Sequence, residues 1–167
     1  MDWKNIYPQP TGGPIMAEIQ NILWPTDFSE NAASALPFVT SLSEKYGAAV
    51  HILYVLKEYV AFGAAYGDTD PQEDFERMRQ WEKETAEKRL DEICENFLSS
   101  CPLYFRHTAV GEPAKRILEF MESQNIDVVV MASQGRESHF DFGSVAERVL
   151  KCTTVPVLMV PAHRRES

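Results

Sequence analysis

Five apolar runs, 19–25 (IQNILWP), 48–56 (AAVHILYVL), 103–110 (LYFRHTAV), 126–132 (IDVVVMA) and 155–160 (VPVLMV), are separated by segments of helical character. The connections between them are too long for hairpins. Strands that alternate with helices in this way run parallel, and a parallel sheet needs helices over both faces. The predicted fold class is therefore α/β: a single-domain, open, twisted five-stranded parallel sheet, Rossmann-like, with helices on both faces. In such sheets ligands bind beyond the carboxyl ends of the strands, where the winding reverses. That rule places PTDFS, after the first strand, and MASQG, after the fourth, in one crevice.

Between the strands the helix signals are local. Ser29 is an N-cap candidate, Ala32, Ala33, Leu36, Val39 and Leu42 follow it, and Gly47 is placed to end the helix. Pro37 lies inside that helix and is expected to kink it. Residues 57–70 show no period and read as a loop. From 71 to 100, apolar side chains at 75, 78, 81, 86, 90, 93 and 97 predict one face of a long amphipathic helix. Trp24 and Trp81 both read as core. Pro113 beside Glu112 opens the next helix, and 143–152 forms a short last one.

Residues 1–16 form an amino-terminal extension with Pro8, Pro10, Gly12, Gly13 and Pro14 and no regular period. Met16 followed by AEIQNIL reads as a natural start, so the extension comes from an upstream start or is an arm for a partner subunit. The domain is assigned to 17–162, with a tail at 163–167.

The formal net charge of −9 over 167 residues argues against nucleic acid and anionic membranes as partners. No run approaches the roughly 20 apolar residues of a membrane span, and no leader pattern opens the chain. Three cysteines, without paired spacing, fit a reducing compartment, and the expected location is cytoplasmic. Cys94 and Cys101 flank a helix end, where a bridge needs Cα atoms within about 7 Å; Cys152 is expected to pack under the last helix. The four histidines, His51, His107, His139 and His163, are scattered, and no metal site is expected. Neither GxSxG nor GxxxxGK[ST] occurs, and no catalytic set is recognised.

The segments ILWPTDFSENAASAL, HILYV, VGEPAKRIL, IDVVVMASQG and GSVAERVLKCTTVPVLMV follow one another in the order found in universal stress proteins. The chain resembles that family over about 17–161. The resemblance implies the strand order 3-2-1-4-5, a cytoplasmic stress-response regulator rather than an enzyme (at most slow ATP hydrolysis), and a homodimer paired through the last strand, Val155 to Val160. An apolar strand at a sheet edge suits that role.

ATP-binding members of the family carry a loop of glycine, two residues, glycine, nine residues, glycine and serine or threonine. Here Ala132 stands at the first glycine, Gly135 and Gly143 at the others, and Ser144 follows, with seven residues between Gly135 and Gly143. The implied cofactor is ATP or another adenine nucleotide, with magnesium only alongside ATP. The implied contacts are Pro25, Thr26 and Asp27 after the first strand, Val55 against the base, and Met131, Ala132, Gly135, Gly143, Ser144 and Val145. Asp27 can accept hydrogen bonds from ribose hydroxyls or an exocyclic amine, or it can serve only as N-cap of the first helix. Gly135 is available for a left-handed turn. A loop two residues shorter cannot trace the same arc around a triphosphate. Glu137 and Asp141 each oppose phosphate by on the order of 1 kcal/mol, partly offset by Arg136 and the last helix's N–H groups. Two readings follow: an adenine-nucleotide module, or a member without nucleotide that acts through dimerisation and an unidentified protein partner.

Overall fold

The computed structural model describes residues 17–56, 58, 71–136 and 142–161. Its elements are β1 (Asn21–Thr26), α1 (Glu30–Ala33), α2 (Leu36–Tyr46), β2 (Ala49–Leu56), α3 (Pro71–Phe97), β3 (Tyr104–Val110), α4 (Pro113–Ser123), β4 (Val128–Ala132), α5 (Ser144–Cys152) and β5 (Val157–Val160). Every strand pair is parallel. The order is β3-β2-β1-β4-β5, as expected.

Strand alternation divides the side chains between two cores. Ile22, Trp24, Val50, Ile52, Val128 and Val130 face one layer, where Leu36 and Val39 of α2 and Leu90 and Cys94 of α3 cover them. Leu23, Leu53, Val129 and Met131 face the other, under Ile117 and Met121 of α4 and Ala146 and Val149 of α5. Burial on both sides explains why β1 and β4 are apolar without interruption.

The helix expected from Ser29 to Gly47 is two helices. The Ser29 hydroxyl accepts from the Ala32 N–H at 3.1 Å and caps α1, and Gly47, at φ 66°, ends α2. Pro37 falls in the first turn of α2, where its missing N–H is no loss. In a continuous helix its ring would strike the Ala33 carbonyl, so the chain breaks after Ala33 and restarts instead of kinking.

The long helix α3 spans the expected segment, but its buried face begins at Ala86 and continues through Leu90 and Cys94. Trp81, expected in the core, is 67% exposed, and Met78 is also exposed. The cause is helical phase. At about 100° per residue, Trp81 lies about 180° around α3 from Leu90 and so faces away from the side that Ala86, Leu90 and Cys94 bury. Cys152 is exposed rather than packed under α5, because it ends that helix on its outer side, while Cys94 and Cys101 are buried free thiols.

The amino-terminal end of the sheet is tied by polar groups. The Asp127 carboxylate accepts from the N–H groups of Gln20 at 2.9 Å and Asn21 at 2.8 Å, which fixes the entry of β1 beside β4. The Asn21 amide oxygen meets His51 Nε2 at 3.2 Å, and His51 Nδ1 meets His107 Nε2 at 3.1 Å. The histidines expected to be scattered therefore pair across β2 and β3. With Asn21 accepting, His51 donates from Nε2 and accepts at Nδ1, so His107 donates from Nε2. Both rings are neutral in this arrangement. Phe105 and Phe120 enclose them.

Burial holds both imidazoles below their ordinary pKa of 6.5, and for His107 the neighbouring His51 adds to the depression. The unfolded chain thus takes up protons that the native pair refuses. The contribution is intact above pH 6.5 and is lost as the pH falls through the lower native values. Urea unfolding midpoints should drop between about pH 7.5 and about pH 5, and the drop should shrink in His107→Gln. An equal drop in wild type and variant would contradict the paired-imidazole account.

Candidate functional site

β1 pairs with β2 along its whole length, to Thr26 opposite Tyr54. Its ladder with β4 ends early, at Leu23 opposite Val129, while β4 pairs on with β5 to Ala132 opposite Val160. The central strands therefore separate toward their carboxyl ends. β1 feeds the α1–α2 face, and β4 feeds α5 on the other. This is the winding reversal at which a ligand crevice is expected.

One wall of the crevice is the turn at 25–29. The Thr26 hydroxyl accepts from the Phe28 N–H at 3.1 Å, and Asp27 Oδ1 accepts from the Ser29 N–H at 3.0 Å. Helix capping belongs to Ser29, which leaves Asp27 out of the N-cap position. The opposite wall is 132–136. There Ser133 N–H donates to the Val160 carbonyl at 2.8 Å, and Gly143 N–H donates to the Ser133 carbonyl at 2.8 Å, folding the start of α5 back onto the strand end.

The walls meet at Asp27. The Arg136 N–H donates to Asp27 Oδ2 at 2.8 Å, and the Arg136 guanidinium donates to the Asp27 carbonyl at 2.9 Å. Asn31 Nδ2 donates to the Gly135 carbonyl at 3.2 Å. A Cβ on Gly135 would lie 2.7 Å from Asp27 Oδ2. Gly135 does not have positive φ, so its lack of a side chain serves close approach and not the left-handed turn expected of it. A Cβ on Gly143 would meet backbone at 3.5–3.6 Å, an ordinary contact.

The remaining expected residues divide by exposure. Ser144 is exposed at the start of α5, where no side chain caps the helix. Pro25, Thr26, Met131 and Ala132 are buried, and Met131 belongs to the core under α4 and α5. Val55 and Val145 are half-buried and pack against that same core. These six shape the walls, whereas Asp27, Gly135, Gly143 and Ser144 line the opening. Glu137, His139, Phe140 and Asp141 lie outside the described residues. Among the described residues no group of three or more metal-ligating side chains occurs.

The residues suit an anion with a sugar. A carboxylate accepts about four hydrogen bonds, and the described donors to Asp27's carboxylate are the N–H groups of Ser29 and Arg136. A free lone pair on each oxygen remains for hydroxyl donors. The uncapped first turn of α5 supplies N–H groups and the positive end of a helix dipole, a ready phosphate cradle. Asn31 and Arg136 were not expected to tie the walls together. Both are ordinary polar residues in sequence, and only the crevice geometry shows their roles.

The sequence model of the Universal stress protein family matches residues 18–161, and the chain belongs to this family. Universal stress protein MJ0577 of Methanocaldococcus jannaschii is 29% identical over 153 residues, covering 84% of this chain and 94% of that protein. The solved structure of hypothetical protein MJ0577 has a TM-score of 0.76 at 26% identity, covering 90% of this chain and 100% of that one. A universal stress protein in complex with cAMP gives 0.64 at 16% identity over 87% of this chain and 98% of its own. The universal stress protein of Archaeoglobus fulgidus in complex with dAMP gives 0.53 at 21% over 86% and 98%. The last two likenesses show the fold alone.

The glycine contacts yield a paired test. Gly135→Ala must displace Asp27 and should cost about 1–3 kcal/mol, whereas Gly143→Ala should stay within about 0.5 kcal/mol. Thermal unfolding of the two variants compares them. Equal losses would mean that Asp27 does not lie against residue 135.

Proposed function

We propose that this universal stress protein is a binding module for an adenine nucleotide, held in the crevice between the β1–α1 turn and the β4–α5 loop. The observation that carries the reading is the meeting of Asp27 with Gly135 and Arg136 beside the uncapped start of α5. Asp27 takes the ribose hydroxyls, and the first N–H groups of α5, with Ser144, take phosphate. The nucleotides bound by the cAMP and dAMP complexes of its fold relatives support the choice of adenine. The short span from Gly135 to Gly143 favours a monophosphate over ATP with magnesium. In this reading the protein is a cytoplasmic regulator of a stress response rather than an enzyme, and occupancy changes a surface seen by partners. It pairs with a second copy through β5, where Leu158 is exposed at the sheet edge.

One observation favours a second reading. Arg136 donates its backbone N–H to the Asp27 carboxylate and its guanidinium to the Asp27 main-chain carbonyl, so the crevice is latched by the protein's own groups. A member latched in this way works through dimerisation and a protein partner, without nucleotide.

Small molecules released by denaturing the purified protein, together with calorimetric titration of AMP and ATP, separate the readings. The nucleotide reading expects an adenine compound and AMP binding that Asp27→Ala weakens tenfold or more, about 1.4 kcal/mol. Asp27→Asn, which keeps an acceptor for the Ser29 N–H, should fold normally and still bind more weakly. No adenine compound, and no heat at millimolar AMP or ATP, would leave the second reading. The same samples should sediment as dimers.

A further inference from the structure

The break between α1 and α2 has a consequence on the face away from α4 and α5. A groove of about 720 Å³ runs between α2 and α3 from the crevice rim, within the roughly 300–1,000 Å³ usual for small-molecule sites. Its apolar lining includes Trp24, Leu36, Phe28 and Phe97. The indole N–H of Trp24, at the groove floor, already donates to the Ala32 carbonyl at 3.2 Å, so no polar group there competes for an occupant. Phe97 is a large side chain left 55% exposed.

Two cations, Arg89 and Arg136, also line the groove. Arg89 lies 5.6 Å from the centre of the Phe28 ring. Among the described residues neither guanidinium is paired with a carboxylate, whereas Arg79, Lys83 and Arg106, on α3 and β3, are ion-paired. Glu92 is the one acid in the lining. Phe28 is held at φ 60°, a left-handed conformation costing on the order of 1–2 kcal/mol. Its ring stacks on Tyr54 with centroids 4.4 Å apart. Strain of this kind collects at binding sites, where it sets a side chain in place.

We propose that this groove is a second ligand site, separate from the crevice, that takes an organic anion with an apolar tail, such as an aliphatic carboxylate. The tail lies along Phe28, Pro37 and Phe97, over the nearly closed Trp24 and Leu36, and the acid group is held by Arg89 and Arg136. Arg136 also ties the crevice walls together, so the two sites share one residue. The proposal does not rest on the nucleotide reading.

The test uses the full chain and the fluorescent sulfonate 1-anilinonaphthalene-8-sulfonate as probe, with decanoate and uncharged decanol as competitors. The probe should bind one site per chain and be displaced by decanoate. Arg89→Gln should weaken decanoate at least fivefold and leave decanol unchanged. Thr40→Trp, which fills the groove from α2, should abolish probe binding. The proposal is overturned if Arg89→Gln leaves decanoate unchanged or if Thr40→Trp still binds the probe. Arg89 is exposed, so its variant decides the matter even if Thr40→Trp fails to fold.

Discussion

The early end of the β1–β4 ladder is the constraint from which the site follows. At the amino-terminal end, Asp127 holds the two strands together through the N–H groups of Gln20 and Asn21. Beyond Leu23 and Val129 no ladder joins them, and each strand carries its loop to a different face. Backbone groups left unpaired inside a protein are costly, so the opening has to be closed by something else. Contacts between the 25–29 turn and the 133–136 segment do this, with Asp27 as the common acceptor. Glycine at 135 is the steric condition for that contact.

The same geometry lets a chain of net charge −9 offer an anion site. A uniform negative field repels phosphate, but within about 10 Å of a helix start the local donors dominate at ordinary salt. The uncapped first turn of α5 stands at one rim of the crevice. Asp27 stands on the other wall, where a sugar rather than a phosphate is the fitting partner. In the proposed reading, this polarity along the crevice is what would orient a nucleotide.

Much of the fold was legible in the residues because its signals are local. Ser29, Gly47, Pro113 and Glu112 act on their own helix ends, and the runs at 22–24 and 128–131 state their burial directly. What escaped depends on distance in the chain. Trp81 matches the apolar spacing along its helix, but distant strands fix the buried face, and that face runs through Leu90, about 180° around the helix from Trp81. His51 and His107 are 56 residues apart and meet only because β2 and β3 pair in register, Leu53 opposite His107. In the site, Asp27 and the two glycines were identifiable from the family resemblance. The reason for Gly135 was not, since close approach by a side chain 108 positions away leaves no mark on local sequence. The pairing of Asp27 with the Arg136 N–H was hidden for the same reason.

The central claim is that the opening between β1 and β4, bridged at Asp27, receives a nucleotide. Backbone amide shifts in a nitrogen-15 spectrum, followed as AMP is added, address it residue by residue. The account predicts saturable shifts centred on Asp27, Gly135, Arg136, Ser144 and Val145, with the β3 edge unmoved. Shifts confined to other elements, or none at millimolar AMP, would contradict it.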